Sequence, residues 1–336
     1  MAGKSSLPRV AVIGTGGTIS SIGRDNLDIA TYTDNKKKYE VDELLAAFPE
    51  TATVADLLPV RYKAVGSPAI GPTEWIELSE LIHSTAEANP DLAGFVMTHG
   101  TATLEETAYM LNLTVKLDIP VVLVGAQRPA SALSTDAGLN LLNAIRVASA
   151  PDSRGMGVLV VLNDEIQAAR EVVKTSTLRL QTFRTPDFGV LGHADADRIA
   201  YYRTPMRRHA PDTEFDIRGR KELPRVDIAF AYGGVDGTAV DAFVAAGAKG
   251  IVVAGMLPGS PGPGQLDALN AATEKGIVVV QSTRNGSGRL VKFRNGRPDI
   301  CVLADNLPPT KARILLMLAL TKTANPDEIQ RMFDTY

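Results

Sequence analysis

Val10-Ala11-Val12-Ile13-Gly14-Thr15-Gly16-Gly17-Thr18 is a run of four apolar residues that stops at a turn of three glycines and two threonines. A run this short, apolar throughout and ended by glycine, predicts a strand buried on both faces, as in parallel sheets covered by helices. The same pattern recurs downstream. Apolar runs at 94–97, 121–124 and 157–162 predict further strands, and helical patterns at 74–88, 104–113 and 137–148 lie between them. In the second of these, Leu104, Ala108 and Leu111 share one face. Strands and helices in alternation predict an α/β fold with a parallel sheet.

After Gly192 the pattern lapses, and the stretch 201–224 mixes charge, proline and aromatic residues without a period, which predicts a linker. Alternation then resumes. Strands at 226–231, 250–254, 277–280 and 300–303 and helices at 238–246, 265–274 and 311–320 predict a second, smaller parallel sheet. The expected organisation is a larger N-terminal α/β domain over 1–203, a linker at 204–224 and a C-terminal α/β domain over 225–336. A length of 336 residues suits two domains.

A net charge of −3 gives no reason to expect nucleic acid or an anionic membrane as partner. Lys36-Lys37-Lys38 and Arg207-Arg208 are too short to make a basic stripe and read as solvated loops. The first apolar run is far too short for a signal peptide or a membrane span, so a cytoplasmic protein is expected. The single cysteine, Cys301, excludes an intramolecular disulfide framework, and His83, His99, His193 and His209 lack ligand spacing. No metal and no cofactor are expected.

In open parallel sheets the ligand crevice lies beyond the carboxyl ends of the strands. The loop Gly14–Thr18 is one such place. A dinucleotide fingerprint would need a glycine three residues after Gly16, where Ile19 stands, and a Walker loop would need a lysine that is absent. Met97-Thr98-His99-Gly100-Thr101-Ala102-Thr103 is the other. Thr103 and Glu106 have the spacing of a capping box, so a helix should begin there with its free N–H groups toward Thr101, a setting suited to a carboxylate. A threonine hydroxyl needs a base before it can attack an amide. Lys174, flanked by apolar and hydroxyl residues, is the candidate.

Thr15-Gly16-Gly17-Thr18-Ile19, and His99-Gly100-Thr101 followed by Leu104-Glu105-Glu106-Thr107-Ala108-Tyr109, resemble the two signatures of the bacterial L-asparaginase/glutaminase family. Val124-Gly125-Ala126-Gln127-Arg128-Pro129, Asn163-Asp164 and Lys174-Thr175 follow in the family's order. The resemblance implies a two-domain amidohydrolase that acts on a small-molecule amide without a cofactor and assembles as a homotetramer, a dimer of dimers. It implies Thr15 as the nucleophile, Thr101 and Lys174 as the second threonine and its lysine, and Tyr32 as the tyrosine that assists, with Tyr39 the alternative by spacing. Ser67 matches the serine that binds the substrate's carboxylate, and backbone N–H groups around Gly100 and Thr101 would stabilise an oxyanion. Either an acyl-threonine ester forms and is hydrolysed, or water attacks directly.

Three departures bear on the substrate. The family has an aspartate where Ala102 stands, and a polar residue, commonly glutamine, where Pro68 stands. Met256-Leu257-Pro258-Gly259-Ser260 replaces a Gly-Asn-Gly segment. All three changes would remove partners of the substrate's ammonium. A buried charge left unpaired costs roughly 3–5 kcal/mol, a hundredfold or more in affinity. Free L-asparagine is therefore expected to be a poor substrate, and a dicarboxylic monoamide or N-acylated derivative a better one. The rival expectations are an ordinary asparaginase or glutaminase and a catalytically silent sensor of the same fold. Retention of Thr15, Thr101 and Lys174 together favours an enzyme.

Overall fold

The computed structural model describes residues 7–256, 258–291 and 301–336, and the chain separates into two units, Met1–Gly219 and Arg220–Tyr336. The first unit begins with β1 (Arg9–Gly16), α1 (Val41–Ala47), β2 (Asp56–Val65), α2 (Pro72–Ala88), β3 (Leu92–Thr98) and α3 (Leu104–Thr114). It continues through β4 (Val121–Val124), α4 (Ala137–Ser149), β5 (Val158–Leu162), β6 (Glu165–Ala168), β7 (Val173–Lys174) and β8 (Phe183–Arg184), and ends with β9 (Gly192–Ala194) and β10 (Ile199–Tyr201).

Eight of these strands form one sheet in the order β10-β9-β6-β5-β4-β3-β1-β2. The four apolar runs of the sequence are its central strands, parallel to one another and buried on both faces. Val10, Val12, Val96, Val122, Val124 and Leu159 pack with Leu141, Ala144 and Ile145 of α4. Fully burying each such aliphatic side chain contributes about 1.5–3 kcal/mol.

Two parts of the sheet depart from the sequence reading. Strand β2 pairs parallel to β1 at the sheet's edge and carries Pro59, Arg61 and Lys63, with its more accessible residues alternating. Charge and proline are what an edge strand tolerates, and they hide it from a search for apolar runs. At the opposite end β6, β9 and β10 run antiparallel, so the sheet is mostly rather than wholly parallel. Asn163 and Asp164, both at positive φ (53° and 63°), make the two-residue hairpin turn from β5 to β6.

The second unit comprises β11 (Val226–Phe230), α5 (Thr238–Ala245), β12 (Gly250–Gly255), α6 (Pro263–Glu274), β13 (Val278–Thr283), β14 (Val302–Leu303), α7 (Pro309–Ala319) and α8 (Pro326–Thr335). Its sheet is β11-β12-β13-β14, all parallel, over a core that includes Ala229, Ile251, Val253, Leu269 and Val279. Ile300, at the start of the expected last strand, and Leu257 lie outside the described residues. Helix α8 was not predicted from periodicity, although it opens on a full start signal. The Asn325 side chain accepts from Asp327 N and Glu328 N, Pro326 takes the first turn, and Ile329, Met332 and Phe333 are buried.

Candidate active site

Strand β1 has β2 on one side and β3 on the other, so the order 2-1-3-4-5 reverses direction between β1 and β3. Such a switch point opens a crevice at the carboxyl ends of the strands. The two motif segments lie at that point: β1 runs on to Gly16, so the first leaves the sheet only at Gly17 and Thr18, and the second, His99–Thr103, follows β3. Gly16 and Gly17 adopt φ of +90° and +87°, and a Cβ on Gly17 would stand 2.4 Å from Gly100 Cα. A Cβ on Gly100 would in turn stand 2.9 Å from the Ser67 side chain. The loops therefore touch backbone to backbone, and only glycine allows this.

The two threonines of the first loop have different fates. Thr15 lies within β1, is 1% exposed, and its Oγ1 donates to the Thr98 carbonyl at 2.7 Å. Thr18 lies beyond the glycines, is only partly buried, and its Oγ1 is 2.8 Å from Tyr32 Oη. Tyr39, the alternative by spacing, packs against the hydrophobic core. Of the expected pair, the structure brings Tyr32 to Thr18 and leaves Thr15 tied to the main chain.

Thr101 and Lys174 do meet. Lys174 Nζ is 2.6 Å from Thr101 Oγ1 and 3.5 Å from Gln127 Oε1. Strand β7 pairs with β8 and so holds Lys174, whose backbone N–H donates to Glu105 Oε2 at 2.5 Å. Desolvation pushes the Lys174 amine below the usual lysine range, against the opposing pull of Glu105. The neutral amine, the form that accepts a proton, is thus easier to reach.

A directional chain supports this loop from behind. Trp75 Nε1 donates to Thr107 Oγ1 at 3.0 Å, Thr107 Oγ1 is 3.0 Å from His99 Nε2, and His99 Nδ1 is 2.8 Å from the Gly100 carbonyl. An indole N–H only donates and a carbonyl only accepts, so Thr107 gives its proton to Nε2 and Nδ1 carries the hydrogen. This order needs a neutral imidazole. Burial supplies it, pushing His99 down to about 4.

Ser67 is buried, whereas Pro68 and Ala102 are exposed. The capping box expected of Thr103 does not form. Thr103 occupies the N-cap of α3, but its Oγ1 donates to the Ser67 carbonyl at 2.8 Å. The hydroxyl thus ties the helix start to the candidate carboxylate-binding turn. Thr18, Glu105 and Gln127 make contacts with the expected residues Tyr32 and Lys174 that the sequence reading does not anticipate. For Thr18 a signal existed, since it alone lies past the glycines that end the strand. Among the described residues no group of three or more His, Cys, Asp or Glu side chains could hold a metal ion.

Comparison with known proteins agrees across the chain. Residues 9–207 match the family description "Asparaginase, N-terminal", and residues 225–333 match "Glutaminase/Asparaginase C-terminal domain". A "Glutaminase-asparaginase" of Pseudomonas fluorescens biotype A is 40% identical over 99% of this chain and 92% of that protein. "L-asparaginase 2" of Bacillus subtilis is 42% identical over 99% and 88%. A solved structure from Campylobacter jejuni, described as a "Probable Cytoplasmic L-asparaginase", superposes with a TM-score of 0.93 at 38% identity, covering 98% of this chain and all of that one.

Proposed function

Because the chain belongs to the asparaginase family, we propose that it is an amidohydrolase that opens a non-peptide C–N bond of a small, carboxylate-bearing amide with Thr18 as its nucleophile. The observation that carries the choice of Thr18 is its 2.8 Å contact with Tyr32 Oη, set against the buried Thr15 hydroxyl whose proton is committed to the Thr98 carbonyl. Thr18 Oγ1 bonds to the substrate's carbonyl carbon while its proton passes to the leaving nitrogen. The C–N bond breaks, ammonia or an amine departs, and water hydrolyses the acyl-threonine ester and restores the hydroxyl. Thr101 and Lys174 serve the proton transfers, with the depressed amine as base.

Ser67 would receive the substrate's carboxylate, and the side chains of Pro68 and Ala102 offer an ammonium no acceptor. The favoured substrate therefore lacks a free α-amine or carries it acylated. Assembly as a homotetramer belongs to the same reading; exposed apolar side chains such as Leu133, Leu139 and Met206 support it, and light scattering checks it. So does a cytoplasmic location, supported by the name of the Campylobacter structure, whereas a Haemophilus influenzae relative 38% identical is named periplasmic; cell fractionation decides.

The test is ammonia release from asparagine, glutamine, succinamate and N-acetylasparagine by the wild type, Thr18→Ala and Thr15→Ala. Thr18→Ala should lose about a thousandfold or more in kcat, and Thr15→Ala should keep turnover. The reverse pattern returns the nucleophile to Thr15. A strong preference for free asparagine ends the proposed selectivity.

A further inference from the structure

Gln127 follows β4 in a turn clamped from the start of α4. Its N–H and that of Arg128 donate to the two carboxylate oxygens of Asp136, each at 2.9 Å, and Asn140 Nδ2 donates to the Gly125 carbonyl at 3.0 Å. The residue is 8% exposed. Its two polar atoms differ in kind of partner. Oε1 lies 3.5 Å from Lys174 Nζ, whereas Nε2 has no hydrogen-bond partner among the described residues. Reversing the amide would set one donor against another, so Nε2 is the atom left over. An orphaned buried donor costs the free energy of the lost hydrogen bond. A site that keeps one is complete only when an acceptor is bound beside it.

The surroundings of Lys174 give the same residue a second part. Its amine bonds Thr101 Oγ1 and Gln127 Oε1, both uncharged. The charge acting on it is that of Glu105 on α3, whose Oε2 takes the backbone N–H of Lys174 rather than the amine. Residue 102, next to Thr101, is a methyl and supplies no acceptor. An amide oxygen can hold an amine in either charge state, whereas a carboxylate in its place would favour the ammonium.

We propose that Gln127 positions Lys174 through Oε1, as an uncharged acceptor, and contacts substrate through Nε2, donating to one of its oxygens. The inference rests on the Thr101–Lys174 reading given above and extends it to the substrate. A donor beside Lys174 favours a carbonyl or carboxylate oxygen and repels an ammonium. It thus disfavours free amino-acid amides in the same direction as Ala102.

Ionisation of Lys174 can be read without turnover, from the pH dependence of its acylation by acetic anhydride, followed by peptide mass spectrometry. Gln127→Glu should raise the half-labelling pH by a unit or more. Gln127→Met, which keeps the bulk and removes both polar atoms, should leave that pH no higher and lower kcat/KM for succinamate about tenfold. A folded Gln127→Glu with an unmoved Lys174 titration overturns the proposal, as does a Gln127→Met whose kcat/KM stays within threefold of the wild type. Should Gln127→Glu fail to fold, the methionine variant decides. A wild type that releases ammonia from none of the four amides overturns the hydrolase reading instead, and the labelling still shows whether Gln127 holds the lysine.

Discussion

Acidification from pH 7 to pH 4 should weaken the first unit by about 3 kcal/mol through His99 alone. The imidazole is fully buried, and desolvation pushes its pKa from 6.5 to about 4 against the favourable Gly100 carbonyl. Each pH unit of difference is worth about 1.4 kcal/mol, so the gap from 6.5 to about 4 amounts to about 3 kcal/mol. Between those values the unfolded chain binds a proton here that the folded chain does not, so unfolding is favoured as pH falls. The contribution is whole above about pH 6.5, declines toward about pH 4 and is lost below it. A proton on Nε2 would also face the Thr107 hydroxyl donor-to-donor until that group turned. Trp75, the chain's single tryptophan, is buried and donates to Thr107, so its emission reports on this network. Urea unfolding of the wild type and His99→Gln, followed at Trp75 across this range, isolates the effect because the other titrations cancel. The wild type's advantage should shrink by about 3 kcal/mol toward pH 4. An advantage that stays constant refutes the buried neutral histidine.

Thr103→Val removes the donor to the Ser67 carbonyl, a hydrogen bond worth about 1 kcal/mol; KM for the carboxylate-bearing amide should rise about fivefold with kcat kept. Unchanged kinetics would show that the Ser67 turn holds its shape without it. Gly17→Ala combines a positive φ with a Cβ 2.4 Å from Gly100 Cα, so ammonia release should fall about a hundredfold or more and Tm should drop; wild-type activity contradicts the contact between the two loops. Asn325→Ala deletes the cap of α8 and should lower the second unit's stability to urea by about 1 kcal/mol, a loss that an unchanged midpoint would disprove.

Central strands and long helices were readable because burial on two faces demands uninterrupted apolar residues, and β1, β3, β4 and β5 consist of little else. Edge strand β2 and the short strands β9 and β10 were not, since an edge tolerates charge and three residues carry no period. Thr101 and Lys174 are set together only by the family motif, since nothing in their spacing predicts the contact, and Thr103 reads from spacing as the cap of its own helix. Its spacing to Glu106 fits a capping box, yet the Ser67 carbonyl, 36 positions away, takes the hydroxyl.

By itself the sequence determined the α/β alternation, the two sheets and the loops that leave them, because these follow from local periodicity and from glycine's conformational freedom. Tertiary structure alone decided which hydroxyl in the first loop is presented. Thr15 and Thr18 are alike as residues, but β1 runs on through Thr15 and buries it against Thr98, while positive φ at Gly16 and Gly17 carries Thr18 out toward Tyr32. It also decided that Lys174, 73 positions from Thr101 and 47 from Gln127, lies against both. Such contacts depend on how strands are ordered in space, and pairings at that separation leave no periodic trace along the chain.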